Sequence, residues 1–270
     1  MLHKAMRVLH ALMDAETSGL QAGALVQATG LNRITLHRML KSLDREGLVE
    51  RDTSRCYHLG PQAWLLGMAA NRRFDLNALA GASLDRIEAA TQDTIYLLRR
   101  VGDDALCVAR RDGSYPIKSL VMEVGKSYPR GVGGGALAVL ASLDEEEIKA
   151  VLERVRGRLG GYPKVSIPRI RKLLEDTRDK GYAFWPALIS EALVVAVPIL
   201  DRDGRPVGAL SCAAIKERLD PRRRVRVVAL LKTEAARIQQ RMSGPKTGHA
   251  NDPRRARATT RCSNIHRAGS

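Results

Sequence analysis

The chain has 270 residues, 44% of them hydrophobic and 27% charged, a composition that suits one or two globular domains and excludes a fibrous or wholly disordered protein. Its longest uninterrupted apolar run, Ala192 to Leu200, is nine residues long and holds a proline, far short of the roughly 20 needed for a helix to span a bilayer. Forty-five basic and 29 acidic residues give +16, but residues 241–270 alone carry seven bases against one acid, so net charge is by itself a poor argument for nucleic acid.

Residues 3–15 place Ala5, Val8, Leu9, Leu12 and Met13 on one helical face. Acids, Asp14 and Glu16, stand at its end and no small-residue cleavage site follows it, so it reads as an amphipathic helix and not a secretory leader. Residues 24–29 form a short second helix closed by Gly30. Between residues 31 and 47, Ile34, Leu36, Met39, Leu40 and Leu43 keep helical spacing and Gly47 supplies the stop. Two short strands, LVERD and RCYHLG, then meet across Thr53-Ser54. Three helices and a hairpin within 60 residues is the order of a winged helix-turn-helix.

Pro61 opens a connector helix over residues 61–74, and residues 75–92 are again helical. Residues 94–113 predict a hairpin around Gly102-Asp103. A helix begins in 135–142, and another at Leu143, with Asp144 near its cap and Glu145, Glu146 and Glu147 in the first turn, where the helix dipole favours acids. Pro168 to Lys180 is helical up to Gly181. Residues 192–215 carry the strongest strand signal, two apolar runs across Asp203-Gly204. A last helix runs from Pro221 to Met242 with Val225, Val228, Leu231, Ala235 and Ile238 inward. Its opening cluster, Arg222, Arg223, Arg224 and Arg226, reads as a solvated face that could also meet DNA or a partner subunit. The tail has one large aliphatic residue, Ile265, and is expected to be disordered. The expected class is α+β, with a DNA-binding domain in 1–60, a linker helix in 61–74, a ligand-binding α/β domain in 75–242 and a disordered basic tail in 243–270.

In a helix-turn-helix the second helix enters the major groove. Gly30 tolerates the left-handed turn, Leu31 plugs the angle between the helices, and Asn32 caps the reading helix. Arg33, Thr35, His37 and Arg38 can then donate to base edges or phosphates, Ile34 can touch a thymine methyl, and Lys41 reaches the backbone. Arg51 and Arg55 flank the wing tip. No acid lies in the first turns of the reading helix; Asp44, Glu46 and Glu50 all come later. The same topology also serves protein contacts.

The segments ATGLNRITLHRMLKSLDREGLVERD and CYHLGPQAWLLG, followed in order by PRGVGGGALAVLASLDEEE, TRDKGYAF and VAVPILDRDGRPVGALSCAAIKERL, resemble an IclR-family transcriptional regulator over about residues 5–240. The resemblance implies a winged-helix domain, a linker helix and a GAF-like effector-binding domain. It also implies a homodimer or homotetramer on a roughly palindromic double-stranded operator, and a small effector that is often an organic or aromatic acid. It places Gly134 and Gly135 where backbone amides approach the ligand, with Trp185, Val194 and Ser211 as further lining. Glycines ahead of a helix suit that task, since main-chain N–H groups can cradle a carboxylate.

The sequence departs from the family at several of these points. Phe184-Trp185-Pro186 replaces an acid common there, Gly131 and Leu137 stand for a histidine and a lysine, and Ala213 replaces a serine. A more apolar site follows, with Trp185 either stacking on a ligand ring or filling the vacated space. With two Trp and two Phe in the chain, a silent site on a DNA-associated scaffold is the alternative. An enzyme is disfavoured. No histidine lies between residues 59 and 248, and Asp103-Asp104 and the Glu145–Glu147 run are explained by turn and dipole. Cys56, Cys107, Cys212 and Cys262 show no CxxC spacing, so neither a disulfide framework nor a zinc site is expected. The reading is a cytoplasmic, nucleoid-associated protein without catalytic residue, cofactor, metal or membrane partner.

Overall fold

The computed structural model describes residues 1–15, 18–73, 76–162, 164–186 and 192–243. The basic tail and the junction at 74–75 lie outside them. Three helices, α1 (Leu2–Asp14), α2 (Ala22–Thr29) and α3 (Arg33–Arg45), are followed by the strands β1 (Val49–Arg51) and β2 (Tyr57–Leu59). Gly30 ends α2 at φ 61° and donates its N–H to Val26 O, a left-handed stop that an L side chain adopts only with strain. Val8, Leu12, Leu25, Leu36, Leu40 and Val49 form the core of this unit. The wing strands pair antiparallel, and Leu20 bridges to Tyr57, tying the segment before α2 to the wing.

The inward face of α1 is narrower than the sequence suggests. Val8 and Leu12 are buried, whereas Met13 is 50% exposed, rotated one residue beyond the stripe that α2 and α3 cover. Helix α4 (Pro61–Arg73) leads to α5 (Leu76–Thr91). Among the described residues no helix is long and apolar enough to cross a membrane.

The remainder is a six-stranded sheet in the order β5-β4-β3-β8-β7-β6, with every neighbouring pair antiparallel. The strands are β3 (Thr94–Val101), β4 (Asp104–Arg111), β5 (Ser127–Pro129), β6 (Ala183–Pro186), β7 (Ala192–Leu200) and β8 (Pro206–Ile215). The helices α6 (Gly134–Ala141), α7 (Glu145–Val155) and α8 (Ile167–Lys180) cover one face, while α5 and α9 (Pro221–Ser243) cover the other.

Because a strand alternates its side chains, each central strand feeds two cores. Tyr96, Leu98, Val194, Ala196, Ala209 and Ala213 join the α6 side; Ile95, Leu97, Val195, Val197, Leu210 and Cys212 join the α5/α9 side. A bulge at Leu97/Leu98 shifts the register. It sends Cys107 to one core and Ala109, two residues on, to the other. The helix ends follow side-chain chemistry. Asp144 accepts Glu147 N–H at 2.7 Å and Ser166 accepts Arg169 N–H at 3.4 Å.

Two expectations for α9 are corrected. Val225 is 68% exposed, and the inward face is Val227, Val228, Leu231, Ala235 and Ile238. The basic cluster is not simply solvated. Arg223 reaches the buried Asp93 at 2.6 Å, joined there by Arg218 at 2.7 Å, and Arg224 stacks 3.9 Å over Phe184. Further along α9, buried Glu234 bonds Arg86 of α5 and Arg237, each at 2.6 Å.

Candidate DNA-reading face and ligand cavity

Helix α3 separates its chemistry by face. Leu36, Met39, Leu40 and Leu43 are buried, whereas Asn32, Arg33, Ile34, His37, Arg38 and Lys41 are exposed and Thr35 is half-buried. Ile34 keeps core spacing but is 76% exposed, an apolar side chain among the polar residues of the outward face. Asn32 Oδ1 accepts Thr35 N–H at 2.8 Å, which satisfies one amide of the first turn and fixes where the helix starts.

On the wing, Arg51 lies 5.3 Å from the Tyr57 ring centre, and Arg55 sits at the tip with φ 66°. Among the described residues, Arg33, Arg38, Lys41, Arg51 and Arg55 form no ion pair, so their charge faces outward. The residue that shapes the tip, Asp52, is one the sequence reading did not single out. Its Oδ1 accepts Cys56 N–H at 2.8 Å and its Oδ2 lies 3.0 Å from His58 Nε2. The His58 hydrogen bond, helped by Cys56 N–H, holds the Asp52 carboxyl below its ordinary range.

The second site is a cavity between the sheet and α6. The space within it not occupied by protein atoms, open solvent at its mouth included, is about 570 Å³. Gly134, Gly135, Trp185, Val194 and Ser211 all line it. Five residues from three strands and a helix start, as widely separated as 134 and 211, thus meet at one place.

The glycines are there because nothing larger fits. A Cβ on Gly134 would stand 2.8 Å from Val194 Cγ1, and one on Gly135 would meet the Leu98 side chain. Gly133, at φ 88°, is the cap residue and supplies no side-chain hydrogen bond. The first bond of this helix runs from Leu137 N–H to Gly133 O at 2.9 Å, so the amides of the preceding turn have no helical partner. Facing them from β8, Ser211 is 1% exposed and its Oγ has no hydrogen-bond partner among the described residues.

Tyr96, Val121, Met122, Tyr128, Val132, Gly133 and Tyr162 complete the lining. Val132 and Gly133 belong to the glycine-rich segment that the resemblance places at the ligand, and the other five were not singled out from the sequence. Three tyrosines supply the rings that the low count of Trp and Phe argued against. The Tyr96 hydroxyl donates to Ser119 O and accepts Val121 N–H, both at 2.9 Å, and burial pushes its pKa up to about 12, so the phenol stays neutral. It clamps the 112–126 segment over the cavity. Among the described residues, none that lines it carries a charge. The nearest arginine in sequence, Arg130, is buried but gives Nη2 to Asp103 at 2.9 Å and does not line the cavity. Burial raises the Cys107 thiol to about 11 and the Cys212 thiol further still, so neither is a nucleophile at neutral pH.

Residues 68–240 match the family model of the bacterial transcriptional regulator IclR C-terminal region, and residues 1–53 match that of the IclR helix-turn-helix domain. The chain is 24% identical to the HTH-type transcriptional regulator KipR of Bacillus subtilis over 243 residues, which cover 88% of this chain and 95% of that protein. A crystal structure of an IclR transcriptional regulator from Alicyclobacillus acidocaldarius superposes with a TM-score of 0.72 at 28% identity, over 90% of this chain and 98% of that one. An IclR homologue from Microbacterium hydrocarbonoxydans, crystallised with 4-hydroxybenzoate, has the same fold, with a TM-score of 0.68 at 22% identity over 90% and 98% of the two chains.

Proposed function

Because the chain belongs to the IclR family of bacterial transcriptional regulators, whose members are DNA-binding proteins and not enzymes, we propose that it reads an operator with α3 and the wing and changes its affinity when a small organic or aromatic acid fills the cavity. The observation that carries this reading is the pairing, in one chain, of an outward α3 face whose first turns carry no acid and a cavity with unpaired amides and an unpaired hydroxyl.

Arg33, Thr35, His37 and Arg38 contact base edges or phosphates from the first turns of α3, with Asn32 fixing the helix start and Ile34 against a thymine methyl. Lys41, Arg51 and Arg55 hold the backbone. Gly134, Gly135, Trp185, Val194 and Ser211 hold the effector. Residues 1–60 form the DNA-binding domain and residues 75–242 the effector domain, joined by the 61–74 linker helix. The protein acts in the cytoplasm, at the nucleoid.

The operator is double-stranded and roughly palindromic, read by a homodimer or a homotetramer. A second copy of the chain is supported by α4, where Trp64, Leu65, Leu66 and Met68 are 65%, 49%, 55% and 44% exposed in one protomer, an apolar surface that a lone helix leaves to water.

The test is a footprint on the promoter region of its own gene and its neighbours, with and without a panel of carboxylic and aromatic acids. A protected palindrome that one acid shifts is the expected result. No specific footprint anywhere in that region overturns the reading. Arg33→Ala and Arg38→Ala should each weaken specific binding by about 1–3 kcal/mol if they contact bases. An equal loss on random DNA would make them phosphate anchors.

A further inference from the structure

We infer that the cavity selects a small, flat aromatic acid with a single anionic group, and rejects acids that carry a second charge or a string of hydroxyls. This rests on the reading of the cavity as the effector site, and narrows it to a ligand class through the distribution of polar atoms in the wall.

Buried polar groups without partners gather at one pole of the wall. Ser211 Oγ is buried without a partner, and the α6 amides beside Gly134 and Gly135 precede the first helical bond. Two independent sets of hydrogen-bond donors therefore converge from opposite elements, strand and helix, on the same enclosed space. A helix N-terminus favours negative charge, and a neutral hydroxyl with no competing acceptor adds one donor. That arrangement satisfies one carboxylate. Among the described residues the lining offers no guanidinium, ammonium or imidazole.

The remaining wall is apolar or aromatic. Trp185 stands on β6 opposite Val194 of β7, Tyr96 of β3 pairs with Ser211 of β8, and Tyr128 stands on β5. The rings come from both edges of the sheet and its centre, with Val121, Val132 and Met122 between them. Tyr96 Oη is already engaged by Ser119 and Val121, and Tyr128 Oη accepts Glu123 N–H at 3.1 Å. Besides these, the wall offers only the Tyr162 hydroxyl and the O–H of Tyr128, so a second carboxylate would enter without a counter-charge and a polyol chain would leave most of its hydroxyls unsatisfied, both of which desolvation penalises steeply.

The experiment is calorimetric titration of the full chain with four probes: benzoate, terephthalate, gluconate and isovalerate. Benzoate should bind, with terephthalate and gluconate at least roughly tenfold weaker, because each leaves polar groups unpaired. Ser211→Ala should weaken benzoate by roughly tenfold or more, the effect of removing a hydrogen bond to a charged group. Trp185→Leu should weaken benzoate while isovalerate changes less than about twofold, since only the aromatic ring loses a stacking partner. Terephthalate or gluconate binding as tightly as benzoate overturns the inference, as does no binding of benzoate, or an equal response of both monoacids to Trp185→Leu. The footprint without ligand is measured on the same preparation. An operator still bound while benzoate fails refutes the ligand class alone, whereas loss of the operator refutes the regulator reading.

Discussion

The approach of α6 to β7 can be tested by adding one methyl group. In Gly134→Ala the new Cβ would stand 2.8 Å from Val194 Cγ1, 3.2 Å from Val194 Cβ and 3.6 Å from Trp185 Cβ. Val194 cannot retreat easily, because β7 is paired on both sides, to Trp185 and to Ala213 at this level, and a β-branched side chain has few rotamers to choose from. Overpacking of this kind costs about 1–3 kcal/mol. Replacing glycine in a helix returns at most about 1 kcal/mol, so a net loss of about 1–2 kcal/mol is expected. Val194→Ala alone removes two buried methyl groups and should cost about 2 kcal/mol. The double variant removes the atom that clashes and supplies a methyl near the void. Its loss should fall short of the sum of the two single losses by about 1 kcal/mol or more. Urea unfolding of the four proteins, followed by Trp fluorescence and far-ultraviolet circular dichroism, gives the cycle. A Gly134→Ala variant within about 0.5 kcal/mol of the parent, or strict additivity in the double variant, would refute the reasoning.

Asn32→Ala removes the cap of α3 and should lower stability of the N-terminal domain by about 1 kcal/mol, with weaker operator binding; unchanged unfolding of that domain would contradict the capping role. Asp93→Ala leaves Arg218 and Arg223 without their shared carboxylate, and breaking a buried pair costs about 3–5 kcal/mol. Their remaining bonds to Thr91 O place the expected loss at the lower end, a calorimetric melting shift of about 5–10 °C, and a shift under about 2 °C would contradict it. Acid should act partly through Asp103. The Arg154 hydrogen bond, aided by Arg130 and opposed by burial, holds its carboxyl below the ordinary value of 3.8. A depressed folded pKa means stability that is complete above the unfolded value and is lost as pH falls through the folded one. The urea midpoint should therefore be insensitive to Asp103 above about pH 5 and decline below about pH 4, and Asp103→Asn should flatten that decline; an identical acid limb in the variant would rule the group out.

What the sequence disclosed and what it withheld divide along the range of the interactions. Local signals were accurate. Gly30 and Asn32 fixed the turn into α3, Asp144 marked the start of α7, and the Gly102 and Gly204 turns marked the hairpins β3–β4 and β7–β8, since each depends on a few neighbouring residues. The five cavity residues drawn from the resemblance lie together, but Tyr96, Val121, Met122, Tyr128 and Tyr162 were missed. Val121, Met122 and Tyr162 come from irregular chain, and Tyr128 from a three-residue strand, neither of which leaves a periodic signature. Tyr96 sits within the apolar run of β3, where its hydroxyl is indistinguishable from core until the 112–126 segment is seen to fold over it. Met13 and Val225 failed for a related reason: helical spacing gives a face, and only the packed neighbours decide how much of that face is covered.

The two ends of the large sheet have a consequence for solution behaviour. An open strand edge is a template for addition of further chains and hence for aggregation. Here the border strands β5 and β6 are three and four residues long, and each finishes in a proline, Pro129 and Pro186, which has no N–H to offer an incoming strand. β4 pairs with β5 only from Asp104 to Leu106, and where it runs past that partner it carries the charged Arg110 and Arg111. Backbone recruitment is therefore blunted at both borders. Copies of the chain brought close together on DNA are thereby kept from fusing their sheets into a continuous one.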